Sequence, residues 1–76
     1  MPSAYVLINC KIGSEKQIIS KLNNLSGVEE VSEVNGIYDI IAKINSDSID
    51  KLKETMTTRI RRIDKVRYTL TLIVIE

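Results

Sequence analysis

The stretch Val28-Glu-Glu-Val-Ser-Glu-Val-Asn35-Gly36-Ile-Tyr38-Asp39-Ile-Ile-Ala-Lys-Ile44 decides the fold. Residues 28–34 read as a strand whose three glutamates suit a solvated edge. Asn35-Gly36 is a strong short-range hairpin signal, because both residues tolerate positive φ. Residues 37–44 then read as a strand with Tyr38, Ile40, Ala42 and Ile44 on one face and Ile37, Asp39, Ile41 and Lys43 on the other. Upstream, residues 4–11 are rich in strand formers and place Val6, Ile8 and Cys10 together. Gly13 breaks that strand, Ser14 with Gln17 reads as a capping box, and Ile18, Ile19, Leu22 and Leu25 form the stripe of a helix ending before Gly27. Downstream, Ser46 or Asp47 caps a second helix with the stripe Ile49, Leu52, Met56 and Ile60. Residues 66–75 form the last strand. The spacing of Leu22, Leu25, Val28 and Val31 echoes that of Ile60, Ile63, Val66 and Thr69. The order is βαββαβ, two βαβ halves around a central hairpin. This is the α+β, ferredoxin-like plan: a four-stranded antiparallel sheet with both helices on one face.

Seventy-six residues make a single domain, 1–76, whose core is marginal by itself. Yet Val, Ile and Leu supply 25 of the 76 residues, an aliphatic load high for so little interior. One cysteine excludes an internal disulfide, and the absence of histidine makes a typical zinc site implausible and removes the commonest general base. No metal, no cofactor and no enzymatic activity are therefore expected. A net charge of +1 argues against binding nucleic acid through bulk charge. No apolar run reaches membrane-spanning length and no signal-peptide pattern opens the chain, so a cytoplasmic protein without a membrane partner is expected.

Both faces of the sheet carry aliphatic residues. Leu7, Ile41, Ile73 and Ile75 are expected on the face away from the helices, a patch that marks an interaction surface. If a second protomer covers it, each side chain contributes roughly 1.5–3 kcal/mol and offsets the deficit of a small core.

The turn and the start of the following strand hold the residues best suited to chemistry. Asp39 stands at the mouth of an otherwise aliphatic strand, where its carboxylate suits a ligand ammonium group. Gly36 lets a ligand carboxylate approach the main chain closely. The plainer alternative is that Asp39 hydrogen-bonds the hairpin backbone. Three runs, Leu22-x-x-Leu-x-Gly-Val28, Glu33-Val34-x-Gly36-x-Tyr38-Asp39 and Val66-x-x-Thr69-x-Thr71, resemble the effector-binding RAM domain (regulation of amino-acid metabolism) of Lrp/AsnC-type transcriptional regulators. The similarity spans essentially the whole chain, and Gly-x-Tyr-Asp is its most specific part. Such regulators also carry a helix-turn-helix domain; none is expected here, so direct DNA binding is not implied. The resemblance implies a non-enzymatic amino-acid-binding module that serves transcriptional regulation of amino-acid metabolism. It further implies dimers formed through the sheets, four of which commonly close into an octameric ring, and association with full-length regulators of the family. It places the amino acid between dimers, at Asn35, Gly36, Tyr38 and Asp39, with Thr69 and Thr71 less directly matched.

Other features read more plainly. Arg59, Arg61, Arg62, Lys65 and Arg67 cluster around the end of the second helix, where pairing with the helix dipole competes with an anion-binding role. Cys10 reads as a small buried hydrophobe. A ferredoxin-like RNA-binding protein is the alternative from another class, but the aromatic pairs such a sheet uses are reduced here to Tyr5 and Tyr38. An acylphosphatase-like enzyme needs an arginine in the loop after the first strand, where this chain has Lys11-Ile12-Gly13-Ser14. A pure assembly module without ligand is the remaining alternative.

Overall fold

The computed structural model of the chain describes residues 2–75. Its strands are β1 (Ser3–Cys10), β2 (Val28–Glu33), β3 (Ile40–Asn45) and β4 (Val66–Val74). The first helix, α1, covers Glu15–Asn23, and the second, α2, covers Ile49–Glu54. The sheet order is β2-β3-β1-β4 with every neighbouring pair antiparallel, which is the ferredoxin-like α+β arrangement. Ala4, Val6 and Ile8 lie opposite Ile44, Ala42 and Ile40, and all six are fully buried. Ile18 and Leu22 of α1, Leu52 of α2 and Ile60 close the core over that face. The period-two pattern of the two central strands thus meets the helical stripes on a single side of the sheet.

Helix α2 passes directly into a π-helical segment, Thr55–Ile60, and the Arg61 N–H donates to the Met56 carbonyl at 3.1 Å. Eight residues of α-helix turn about 80° beyond two full revolutions, which would swing Ile60 away from the Leu52 side. The wider turn takes up part of that excess, so both residues are buried. Ile49, expected in the same stripe, is 48% exposed. The cap of α2 is Ser48, whose hydroxyl accepts from the Lys51 N–H, rather than Ser46 or Asp47. Ser14 does precede α1, but its hydroxyl donates back to the Lys11 carbonyl, and the expected capping box does not form.

Two larger departures matter for function. The β2–β3 connection is not a two-residue hairpin: residues 34–39 form a loop, Gly36 does not take positive φ, and the Val34 N–H closes it on the Asp39 carbonyl at 2.8 Å. The second departure is in β4. Cys10 pairs with Val66 but Asn9 pairs with Tyr68, leaving Arg67 as an extra residue in the ladder. Such a bulge exchanges the two faces of everything that follows it. Thr69, Thr71 and Ile73 consequently lie opposite Ile8, Val6 and Ala4, on the helix side. Ile73 lines a small apolar crevice there with Leu52, Met56 and Thr71. The expected open-face position of Ile73 is therefore corrected, and Ile75 lies beyond the end of β4, 94% exposed. Leu7 and Ile41 do face away from the helices, directly paired. Their companions on that open face are Tyr5, Leu70, Leu72 and Val74.

Glycine is required at position 27. Its φ is +91°, and a Cβ there would sit 2.8 Å from the Asn45 carbonyl oxygen, while the Asn45 N–H donates to the Gly27 carbonyl at 2.8 Å. Lys65 takes φ +75° without being glycine. Gly27→Ala should therefore destabilise by about 1–3 kcal/mol, and Lys65→Gly should stabilise by up to about 1 kcal/mol. Urea unfolding followed by circular dichroism checks both signs.

Candidate effector site

Three consecutive residues at the end of β1 organise the β2–β3 loop. The Asp39 N–H donates to the Ile8 carbonyl at 2.8 Å, extending the β1–β3 ladder by one bond. The Cys10 N–H donates to Asp39 Oδ2 at 3.0 Å, so the carboxylate replaces the backbone partner that β3 no longer supplies. Between them, Asn9 Nδ2 donates to the Ile37 carbonyl at 3.0 Å. Tyr38 meets Tyr68 of β4 edge to face, with centroids 6.0 Å apart and planes at 75°.

These contacts leave a particular set of groups unengaged. Asn35 and Gly36 are exposed, and the N–H groups of Asn35, Gly36, Ile37 and Tyr38 donate no hydrogen bond among the described residues. Asp39 is half-buried and only its Oδ2 is held. Four of the six expected effector residues, Asn35, Gly36, Tyr38 and Asp39, are thus on one loop with a free carboxylate oxygen beside free amides. Thr69 and Thr71 are not brought to it. The bulge turns both to the helix side, where the Thr71 hydroxyl meets the Met56 sulfur. Asn9 and Tyr68 were not among the expected site residues. Asn9 did carry a signal, as the one polar residue within the otherwise apolar run from Ala4 to Cys10 apart from Tyr5.

Cys10 is 3% exposed beneath this loop. Burial pushes its thiol pKa up, the neighbouring Ser14 hydroxyl opposes that shift, and the Asp39 and Glu15 charges add to it. Among the described residues no three His, Cys, Asp or Glu side chains come together, and no helix is long and apolar enough to cross a membrane. A separate open cleft of about 670 Å³ lies at the other end of β3, between Gly27, Asn45, Lys51, Thr55 and Arg59. Arg59, Arg61, Arg62, Lys65 and Arg67 are all exposed.

Residues 3–76 match the family model of the Lrp/AsnC ligand binding domain, and the chain belongs to that family. It is 36% identical to the regulatory protein AsnC of Escherichia coli over 76 aligned residues, covering 91% of this chain and 50% of that protein. The chain therefore spans about half the length of the curated relatives it matches. Among solved structures, FFRP-DM1 superposes with a TM-score of 0.95 at 32% identity, covering 99% of this chain and 100% of that one. A transcriptional regulator of Neisseria meningitidis, solved as a complex with L-Met, shares the fold at a TM-score of 0.88 but only 8% identity, covering 99% of this chain and 50% of that one.

The structural role of Asp39 is measurable by substitution. Asp39→Ala strands the Cys10 N–H and should cost about 1–3 kcal/mol, whereas Asp39→Asn keeps an acceptor and should cost under half as much. Chemical denaturation of both variants measures the difference. Cys10 gives a pH signature. Its folded pKa is raised, so the folded thiol keeps its proton where the unfolded thiol, near pH 8.5, has lost it. Stability should therefore decline as pH rises from about 8.5 toward the raised folded value. Cys10→Ala should flatten that decline in melting curves taken between about pH 8 and 9.5.

Proposed function

We propose that this domain is a non-enzymatic regulatory module that binds an amino acid at the β2–β3 loop and works as an assembly of several copies. The observation that carries the ligand reading is the pairing of opposites on that loop. Asp39 offers a carboxylate oxygen suited to an ammonium group, and the adjacent residues offer unpaired amide donors suited to a carboxylate. A free α-amino acid presents both groups, a few ångströms apart. Membership of the Lrp/AsnC ligand binding domain family supports the same reading, as does the L-Met complex of the Neisseria regulator. Thr69 and Thr71 enter only if a neighbouring protomer presents them across an interface.

The assembly reading rests on the open sheet face. Leu7 and Ile41 sit at its centre, with Tyr5 at 40%, Leu70 at 44% and Leu72 at 52% exposure around them. A contiguous aliphatic face of this kind is stabilised by cover, and a second sheet brought against it supplies that cover. The dimer face is thus Leu7, Ile41, Leu70 and Leu72, and dimers assemble further toward an octamer. Regulation of transcription then follows through partnership with DNA-binding members of the same family, not through DNA contact by this domain. An amino-acid site of this kind suits control of amino-acid metabolism from the cytoplasm.

A thermal-shift screen across the twenty amino acids tests the ligand reading. At least one should raise Tm, because a ligand that binds only the folded state stabilises it. Asp39→Asn should weaken that ligand about tenfold or more in calorimetric titration, since a charge-assisted hydrogen bond is replaced by a neutral one. No shift for any amino acid removes the reading. For assembly, light scattering should give a mass well above 8.6 kDa for the native chain. Leu72→Lys should lower it without unfolding the domain, because that side chain is exposed in the protomer. A native mass of one protomer defeats the assembly reading.

A further inference from the structure

We infer that Asn9 is a positioning residue for the effector loop, an inference that rests on the reading of residues 34–39 as the ligand site. Its side chain is out of place by composition. Asn9 points to the open sheet face, the side that also carries Tyr5, Leu7, Ile41 and Leu70. Its Oδ1 is buried and meets no donor, so the amide makes one of the four hydrogen bonds open to it at that position. An aliphatic residue would suit the face better. What the amide does achieve is one bond, from Nδ2 to the Ile37 carbonyl. That bond also fixes its orientation, since the flipped amide would set Oδ1 against the carbonyl oxygen.

The location of the bond gives it leverage. Ile37 immediately precedes Tyr38 and Asp39, and the other two bonds that tie this segment to β1 use backbone groups of β1, the Ile8 carbonyl and the Cys10 N–H, so Asn9 is the β1 side chain whose replacement releases a tether without touching Asp39. Tyr68, the cross-strand partner of Asn9, carries the Tyr38 ring. Asn9 and Tyr68 together therefore hold residues 37 and 38 against the end of β1. The same two residues border the apolar face proposed to be covered by a second protomer. Assembly and the effector loop accordingly meet at Asn9.

Asn9→Leu, which preserves size and removes the donor, tests this, with Asn9→Ala as a second variant should leucine overpack. Three measurements are compared with the native chain: amide hydrogen exchange without ligand, the near-ultraviolet circular dichroism of the tyrosines, and the affinity for the amino acid found in the screen. The expected result is roughly tenfold faster exchange confined to the Val34 and Asp39 amides, which close the loop. A reduced tyrosine signal and an affinity loss of about tenfold should accompany it, with Tm little changed. Unchanged exchange with unchanged affinity overturns the inference. Exchange that rises throughout the sheet together with a fall in Tm overturns it too, by showing an ordinary structural role. A loss of affinity without faster loop exchange shows that Asn9 touches the ligand itself and is not a positioning residue. If no amino acid binds the native chain, the effector reading fails, while exchange and the tyrosine signal still decide whether Asn9 holds the loop.

Discussion

Everything in this domain is referred to β1. It is hydrogen-bonded on both edges, to β3 through Ser3–Ile8 and to β4 through Ser3–Cys10, and it contributes to both faces at once. Ala4, Val6, Ile8 and Cys10 form the floor on which the helices pack. Tyr5, Leu7 and Asn9 form the middle of the opposite surface. The final three residues of the strand then hold the β2–β3 loop. Core, outer face and candidate site are therefore set by one eight-residue segment, and a shift of register there displaces all three together.

Much of this was legible from residue type and spacing. The element order and the helix-facing set of β1 and β3 follow from strict alternation, because a half-buried strand has only two faces and each residue declares one. The grouping of Asn35, Gly36, Tyr38 and Asp39 needed no more than their adjacency in one loop. What could not be read was anything that depends on a break in periodicity. The extra residue at Arg67 has no sequence mark: Leu70, Leu72 and Val74 alternate with Thr69, Thr71 and Ile73 as in an unbroken strand, which by spacing alone puts the leucines against the helices and Ile73 on the open face, the reverse of the register observed. Asn35-Gly36 misled in another way. The pair favours a tight turn, but Asp39 has a better use for its carboxylate and its N–H at the end of β1, and the connection lengthens to supply them. Long-range demand overrides local preference there.

The candidate site shows a related economy. Asp39 serves the fold with one carboxylate oxygen and leaves the other unengaged. The plain structural role foreseen for it and the ligand-binding role are thus compatible, because each uses a different atom. The loop is firm where Ile37 and Asp39 are tied to β1 and unconstrained at Asn35 and Gly36, so donor groups are presented from a fixed base without being consumed by it.

The bulge at Arg67 also bears on how such a domain can change over generations. Single-residue replacement alters one side chain and leaves the parity of β4 intact. Loss of the Arg67 codon itself is harmless to that parity, because Val66 and Tyr68 are already paired with Cys10 and Asn9 and every later residue keeps its face. Loss of one codon beyond the bulge, such as that of Thr69, is a different event: Leu70, Leu72 and Val74 pass to the helix side, and Thr71 and Ile73 pass to the open one. The outward surface then carries one hydroxyl and a single aliphatic group in place of three aliphatic ones. A reading frame shortened by three nucleotides can in this way weaken a cohesive surface, without any change in the number of hydrophobic residues in the chain.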